Sequence, residues 1–171
     1  MDILVRDINQ YISPILPVKL NISSARERAL QRKFASFVAL RYRQMVQEAV
    51  YQQLYAYTWK PLNQAYKEHK IRTGLNPDIW IATSTLIESI VVVRKSTTLE
   101  VGVDKRKVNP ESHTKLSLIV KALEFGAGSI PPRPLFTPVY KSIVRSMPQL
   151  FVEFLREGAK GFESSTFEAR A

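Results

Sequence analysis

The chain has 171 residues, 45% of them hydrophobic and 23% charged, which is enough for one domain with a real core and too ordinary for wholesale disorder. It has no cysteine, which excludes disulfide frameworks, thiol nucleophiles and thiolate metal sites and suits a reducing compartment. Lysine and arginine number 25 against 15 acids, a formal charge of +10 that favours nucleic acid, an anionic surface or an acidic protein without choosing among them.

Residues 1–22 read as an N-terminal arm, because Pro14 and Pro17 interrupt anything regular after a short helix through Tyr11. Asp2 and Asp7 come early, there is no apolar core of signal type, and no apolar run approaches the roughly 20 residues that span a bilayer. A soluble protein is therefore expected. Ser24 and Glu27 have capping-box spacing and predict the start of a long helix. Leu30, Phe34, Phe37, Val38, Met45 and Ala49 recur at three- and four-residue intervals, predicting one buried face through Tyr57 with a basic face opposite. At ~1.5 Å per residue that helix would be about 50 Å long, which implies contact with another subunit. Tyr42, Tyr51, Tyr55, Tyr57 and Trp59 interleave with Arg41 and Arg43, a pattern that suits stacking on single-stranded nucleic acid as well as a helical core or helix interface.

A second helix is expected over 61–72, with Pro61 in its first turn, Gly74 as its C-terminal cap, and Lys67, Lys70 and Arg72 at the negative end of its dipole. His69 sits in this basic cluster without a Cys, Asp or His at metal-ligand spacing, so it belongs to a solvated face. Asn76, Pro77 and Asp78 mark a turn, followed by a short helix or irregular link over 79–86. The β-branched run 87–95 predicts a strand partly buried on both faces, and 96–98 a turn. Leu99, Val101 and Val103 alternate with Glu100, Gly102 and Asp104, which predicts a second strand paired with the first as a hairpin. Lys105, Arg106 and Lys107, followed by a polar stretch through His113, predict an exposed loop kept mobile by charge repulsion, the best candidate for contact with DNA or an acidic partner. His113 has no identifiable partner in the sequence.

The chain is organised around 118–140. An apolar helix over 115–125, spaced at Leu118, Ala122 and Phe125, ends at Glu124, Phe125 and Gly126. Gly126 and Gly128 permit a tight reversal, and Pro131, Pro132 and Pro134 hold an extended path that fixes Arg133 between rigid neighbours. Thr137 is the expected N-cap of the next helix and Pro138 its first residue. Glu124 is expected to bind a backbone N–H or Arg133. Pro148 must kink or restart that helix, with Ser146 as a new cap, after which Leu150, Phe151, Phe154 and Leu155 form an apolar stripe. Small and polar residues over 158–171 read as a tail ordered only in an assembly. The whole is expected to be α+β: a long N-terminal and a C-terminal helix on a small antiparallel sheet, as a single domain over 23–157.

No Gly-x-Ser-x-Gly, Walker-type loop, dinucleotide fingerprint or His-Glu-x-x-His occurs. Glu88, Glu100, Asp104 and Glu124 are the acids that could converge; those flanking a strand read as ordinary surface groups, and Glu124 as a hydrogen-bonding group rather than one that moves protons. The expectation is no enzyme, no cofactor and no metal.

In order along the chain, Trp59-Lys60-Pro61-Leu62, Thr85-Leu86 with Ser89-Ile90, Val101-Gly102-Val103, Glu124-Phe125-Gly126 and Pro131-Pro132-Arg133-Pro134-Leu135-Phe136 resemble the bacteriophage tail-completion, or head–tail connector, family over 59–145. That family has Thr-Gly where this chain has Ala82-Thr83-Ser84 before Thr85. The resemblance implies a virion structural protein of the neck or tail, assembled in the host cytoplasm as a ring of six or twelve copies. Its implied neighbours are neck, portal-adaptor or tail-tube proteins, with non-specific contact to DNA in the lumen and none to membrane. Glu124, Phe125, Gly126, Pro131, Arg133, Pro134 and Phe136 would be its assembly motif. The alternative from charge alone is a nucleic-acid-binding domain using Lys105, Arg106, Lys107 and the tyrosine-rich helix.

Overall fold

The computed structural model describes residues 24–81, 83–95 and 98–158, apart from the side chains of 24, 26, 27, 95, 98 and 158. The expected arm, capping-box side chains, 96–97 turn and C-terminal tail lie outside the described residues. Among the described residues, six α-helices and one two-stranded antiparallel sheet make an α+β fold. In chain order they are α1 (Ser24–Tyr51), α2 (Gln64–Arg72), α3 (Thr85–Glu88), β1 (Ile90–Lys95), β2 (Thr98–Val103), α4 (Leu116–Phe125), α5 (Phe136–Arg145) and α6 (Met147–Gly158), with a 3-10 turn at Ala56–Thr58. No described helix is long and apolar enough to cross a membrane.

The described residues group into two compact units. The first takes α1 up to Arg43, the hairpin from Val92 to Gly102, and the chain from Tyr140 to Gly158. Its core is aromatic: Phe34 meets Phe151 edge-on at 5.1 Å and Phe154 at 5.4 Å, and Tyr42 meets Tyr140 at 6.2 Å. Arg41 is paired with Glu153 and lies over the Phe37 ring, 5.9 Å from its centroid. The guanidinium of Arg94 donates to the Ser36 hydroxyl at 3.2 Å, tying α1 to β1. Phe34, Phe37, Val38 and Ala49 are buried as the periodicity of α1 predicts, while Arg28, Arg32 and Lys33 face solvent.

The second unit, 44–91 with 103–139, holds most departures from expectation. The long helix stops at Tyr51 rather than Tyr57. Gln53 adopts φ 49°, its N–H donates to Val50 O at 3.1 Å, and the Leu54 N–H reaches back to Ala49 O at 3.0 Å. This is a Schellman ending without its usual glycine, and the Gln53 amide supports it by donating to Val50 O and Ile79 O at 2.8 and 2.9 Å. The second helix begins at Gln64, because Asn63 accepts from the Ala65 N–H at 2.9 Å and so caps it; Pro61 stays outside. At its other end Gly74, with φ 73°, takes the expected left-handed position, and the Leu75 N–H closes onto Lys70 O at 2.7 Å. The expected turn at Asn76 forms as an Asx turn, its side chain accepting from the Asp78 N–H at 2.7 Å.

The first strand begins at Ile90, three residues later than expected, since Thr85–Glu88 is helical. Ser89 makes the changeover: its hydroxyl donates to Leu86 O at 2.6 Å while its carbonyl accepts from the Asp104 N–H at 2.9 Å. Thr98, expected in the turn, opens β2, and the hairpin forms. In β2 the alternation holds in part, with Leu99 and Val101 buried and Val103 only half-buried. Pro148 restarts the last helix as expected, but the Ser146 hydroxyl donates backward to Ser142 O at 3.0 Å instead of accepting from α6. Leu150 and Phe154 are buried in the expected stripe, whereas Leu155 is exposed.

Every residue of α2 is exposed except Lys70, which is 3% exposed and donates its ammonium to Asp78 O at 2.7 Å and Ile81 O at 2.5 Å. The expected solvated basic face is correct for Lys67, His69 and Arg72 and wrong for Lys70. Burial lowers the Lys70 pKa below its ordinary value, with Asp78 and Glu111 opposing. The folded protein therefore sheds this proton more readily than the unfolded chain, so stability rises with pH through the folded value and levels off above about 10.4. The stability of wild type relative to Lys70→Met, from urea titrations, is expected to rise with pH on the approach to about 10.4 and to stay level above it. A constant difference would show that the amine titrates as in the unfolded chain.

Candidate functional site

The motif that follows α4 closes on itself. Helix α4 ends with Gly126 at φ 80°, its N–H donating to Ala122 O at 2.9 Å. Ala127 and Ile130 exchange both main-chain bonds, at 3.0 and 2.9 Å, around Gly128 at φ 54°, a two-residue reversal with glycine at its first position. Pro131, Pro132 and Pro134 carry the chain back along α4, and the Arg133 N–H donates to Leu123 O.

This return brings the start of α5 to Glu124, which is 3% exposed. The carboxylate accepts the N–H of Leu135 at 2.7 Å and Phe136 at 3.0 Å on one oxygen, and that of Thr137 at 2.8 Å on the other. An α-helix leaves its first four N–H groups without partners. Glu124 takes three, and the fourth does not exist because that position is Pro138. The first internal bond of α5 follows at once, from the Val139 N–H to Leu135 O at 3.3 Å. The expected Thr137 cap is thus replaced by a carboxylate from the preceding helix. Its negative charge also suits the positive end of the α5 dipole.

Arg133 does not meet Glu124. Its side chain turns to the segment before α2, Nε donating to Lys60 O at 2.8 Å and Nη2 to Pro61 O at 3.3 Å. Burial pushes its pKa down from the ordinary arginine value. The carbonyls of the strap are also taken: the Trp80 indole donates to Arg133 O at 3.0 Å and the Trp59 indole to Pro134 O at 2.9 Å. Trp80, held at φ 69°, stacks edge-on against Phe136 at 6.0 Å. Phe136 and Leu135 are fully buried, Pro131 and Pro134 half-buried, and Phe125 points outward at 51% exposure.

Lys105, Arg106 and Lys107 are exposed as expected, but their loop is not merely held open by charge. Arg106 forms a two-point pair with Asp104 at 3.2 and 3.1 Å, and that bond is the main reason the Asp104 pKa lies below its ordinary value. Asn109 folds the loop by accepting from the Glu111 and Ser112 N–H groups, and Val108 bridges Lys115. The Leu116 N–H donates to Lys107 O, so the basic loop attaches at the start of α4 and the motif at its end, about 15 Å away along a ten-residue helix. The two sets of expected site residues are not brought together. Trp80 was missed by sequence reading, and Lys70 was named but placed on the solvated face; a buried tryptophan's need for an acceptor was the available signal for Trp80.

Among the described residues no group of three or more His, Asp or Glu could hold a metal ion. The chemistry on offer at the motif is hydrogen bonding to main chain. Comparison of the chain with protein-family models, curated proteins and solved structures finds no match.

Glu124→Gln keeps the shape but sets an amide NH2 against N–H donors, and is expected to cost about 2–4 kcal/mol, read from chemical denaturation. A loss under about 0.5 kcal/mol would show that the cap carries no weight. Arg133→Ala should lower the melting temperature of the isolated protein, with Arg133→Lys only partly restoring it. At Gly126 an added Cβ would lie 3.2 Å from Ile130 O and 3.2 Å from the Pro132 ring, whereas at Gly128 it meets open space. Gly126→Ala should therefore destabilise more than Gly128→Ala, although both positions have positive φ.

Proposed function

We propose that this chain is a phage virion structural protein that completes the tail or joins it to the head, working as a ring of identical subunits. The observation that carries this reading is where the motif's polar groups go: Glu124, Arg133, Trp59 and Trp80 all bind main chain within one unit. Such an arrangement fixes the shape of a surface and leaves no proton-transfer or ligand-holding group at the motif. Shape without chemistry is what a connector needs. The resemblance over 59–145 supplies the same reading from the ordered motifs.

Large apolar side chains on the outside support it further. Tyr57 is 84% exposed, Tyr66 51% and Ile71 58%, apolar area that contact with a neighbouring copy would cover. A ring is made of heterologous contacts, so each subunit needs two different complementary faces. The reading assigns no catalytic step, cofactor or membrane contact, and places the protein in the neck or tail of the virion after assembly in the host cytoplasm.

A second reading is favoured by one observation, the exposure of Lys105, Arg106 and Lys107 together. These residues would serve a nucleic-acid-binding domain, or line a lumen through which DNA passes.

Light scattering on a sizing column is expected to give six or twelve times the 19.6 kDa subunit mass, with annular particles by negative-stain microscopy. A chain that stays at the subunit mass at every concentration would end the ring reading. Anisotropy with a short DNA duplex should show weak binding that about 200 mM salt abolishes, whereas tight binding surviving that salt would favour the second reading.

A further inference from the structure

Helix α4 carries two apolar stripes. The inner one, Leu116 and Val120 with Glu124, is buried. The outer one is the stripe that sequence periodicity singles out, Leu118, Ala122 and Phe125, and it faces water, with Leu118 58% and Phe125 51% exposed. Ile130, in the reversal just beyond Phe125, is 42% exposed. A helix apolar on two sides is one that is covered on two sides.

At 100° per residue, Lys115 and Lys121 lie about 60° to either side of Leu118, so exposed lysines flank the stripe on both edges. The helix's one acid, Glu124, is buried and bound to α5, so the outer face carries only positive charge. An occupant must therefore bring apolar anchors with acids beside them. Two copies of the stripe facing each other about a twofold axis would set lysines against lysines, which disfavours self-pairing.

The chain itself holds a matching segment in 159–171. Phe162 is followed directly by Glu163 and Phe167 by Glu168, two aromatic–acid pairs within a short stretch that continues from α6. Residues 1–23 have apolar residues but no aromatic–acid pair. From Leu118 to Phe125 the stripe is about 10 Å long, and the five-residue separation of Phe162 and Phe167 reaches at most about 16 Å, so the separation is long enough to bridge it.

We propose that the outer stripe of α4 receives residues 159–171 of a second copy of this chain, Phe162 and Phe167 lying on Leu118, Ala122 and Phe125, with Glu163 and Glu168 against Lys115 and Lys121. This rests on the reading of the protein as a homo-oligomer and names the contact that joins one subunit to the next. Stripe and segment are different surfaces, so the contact is heterologous and propagates around a ring.

The test places the photoreactive residue benzoylphenylalanine at position 118 of the full chain, and in a second preparation at 125, both exposed positions. Equal amounts of light and 15N-labelled protein are mixed, irradiated, and the cross-linked peptides identified by mass spectrometry. The expected result is cross-links to 159–171 that join light to heavy chains, falling at least about tenfold in the Phe162→Ser/Phe167→Ser double variant. Cross-links within one chain, to 1–23, to α4 itself, or unaffected by the double variant would overturn the proposal. If light scattering shows an oligomer while cross-links fall elsewhere, the contact is wrong and the ring reading stands. A subunit-sized species without light–heavy cross-links removes both.

Discussion

The fold of the second unit depends on one carboxylate. Helix α5 starts inside the protein, where three N–H groups without partners would cost several kcal/mol, and Glu124 from the end of α4 satisfies all three. The two helices are thereby fixed end to start, and the strap between them has to run a set course. Three main-chain groups of that strap then find a use: the Arg133 N–H on α4, the Arg133 and Pro134 carbonyls on the two indoles. Proline is suited to the remaining positions because it has no N–H to satisfy.

Arg133 extends the same constraint to a distant part of the chain. Its guanidinium takes the carbonyls of Lys60 and Pro61, just before the cap of α2. Helix α2 has little else to hold it. A helix of nine residues is too short to persist in water by itself, and this one buries a single side chain. Asn63 caps one end, Gly74 turns the other, and the Lys70 amine ties the middle to the chain at Asp78 and Ile81. Three polar devices replace the apolar face that normally secures a helix.

Periodicity and turn chemistry made much of this legible. The buried face of α1, the hairpin, the Gly74 cap, the Asn76 turn and the restart at Pro148 follow from local rules, because their causes lie within a few residues. The start of α5 was located within two residues, since Pro138 demands a first-turn position. Its capping group was not, because a carboxylate eleven residues upstream competes with the nearby Thr137 hydroxyl only after the glycines have folded the chain back. Pro61 suggested a helix start for a sound reason and lost to Asn63, which offers an acceptor where proline merely removes a donor. The exposed stripe of α4 shows a different limit. Periodicity reports that a face is apolar, and not which of two apolar faces the chain itself covers.

The bonds at the strap differ greatly in how much chain each must close. Glu124 and Leu135 are 11 residues apart, whereas Trp59 and Pro134 are 75 apart. On loop-closure entropy alone the longer closure costs about 1.7 kcal/mol more. The short hairpin of helix, strap and helix is thus a module of low contact order, built from interactions that a growing or refolding chain meets first. The tryptophan and arginine bonds instead come from segments 53 to 75 residues away in the chain. The same residues that set the final form thus divide into two kinds of closure: the carboxylate closes a short loop, and the indoles close long ones.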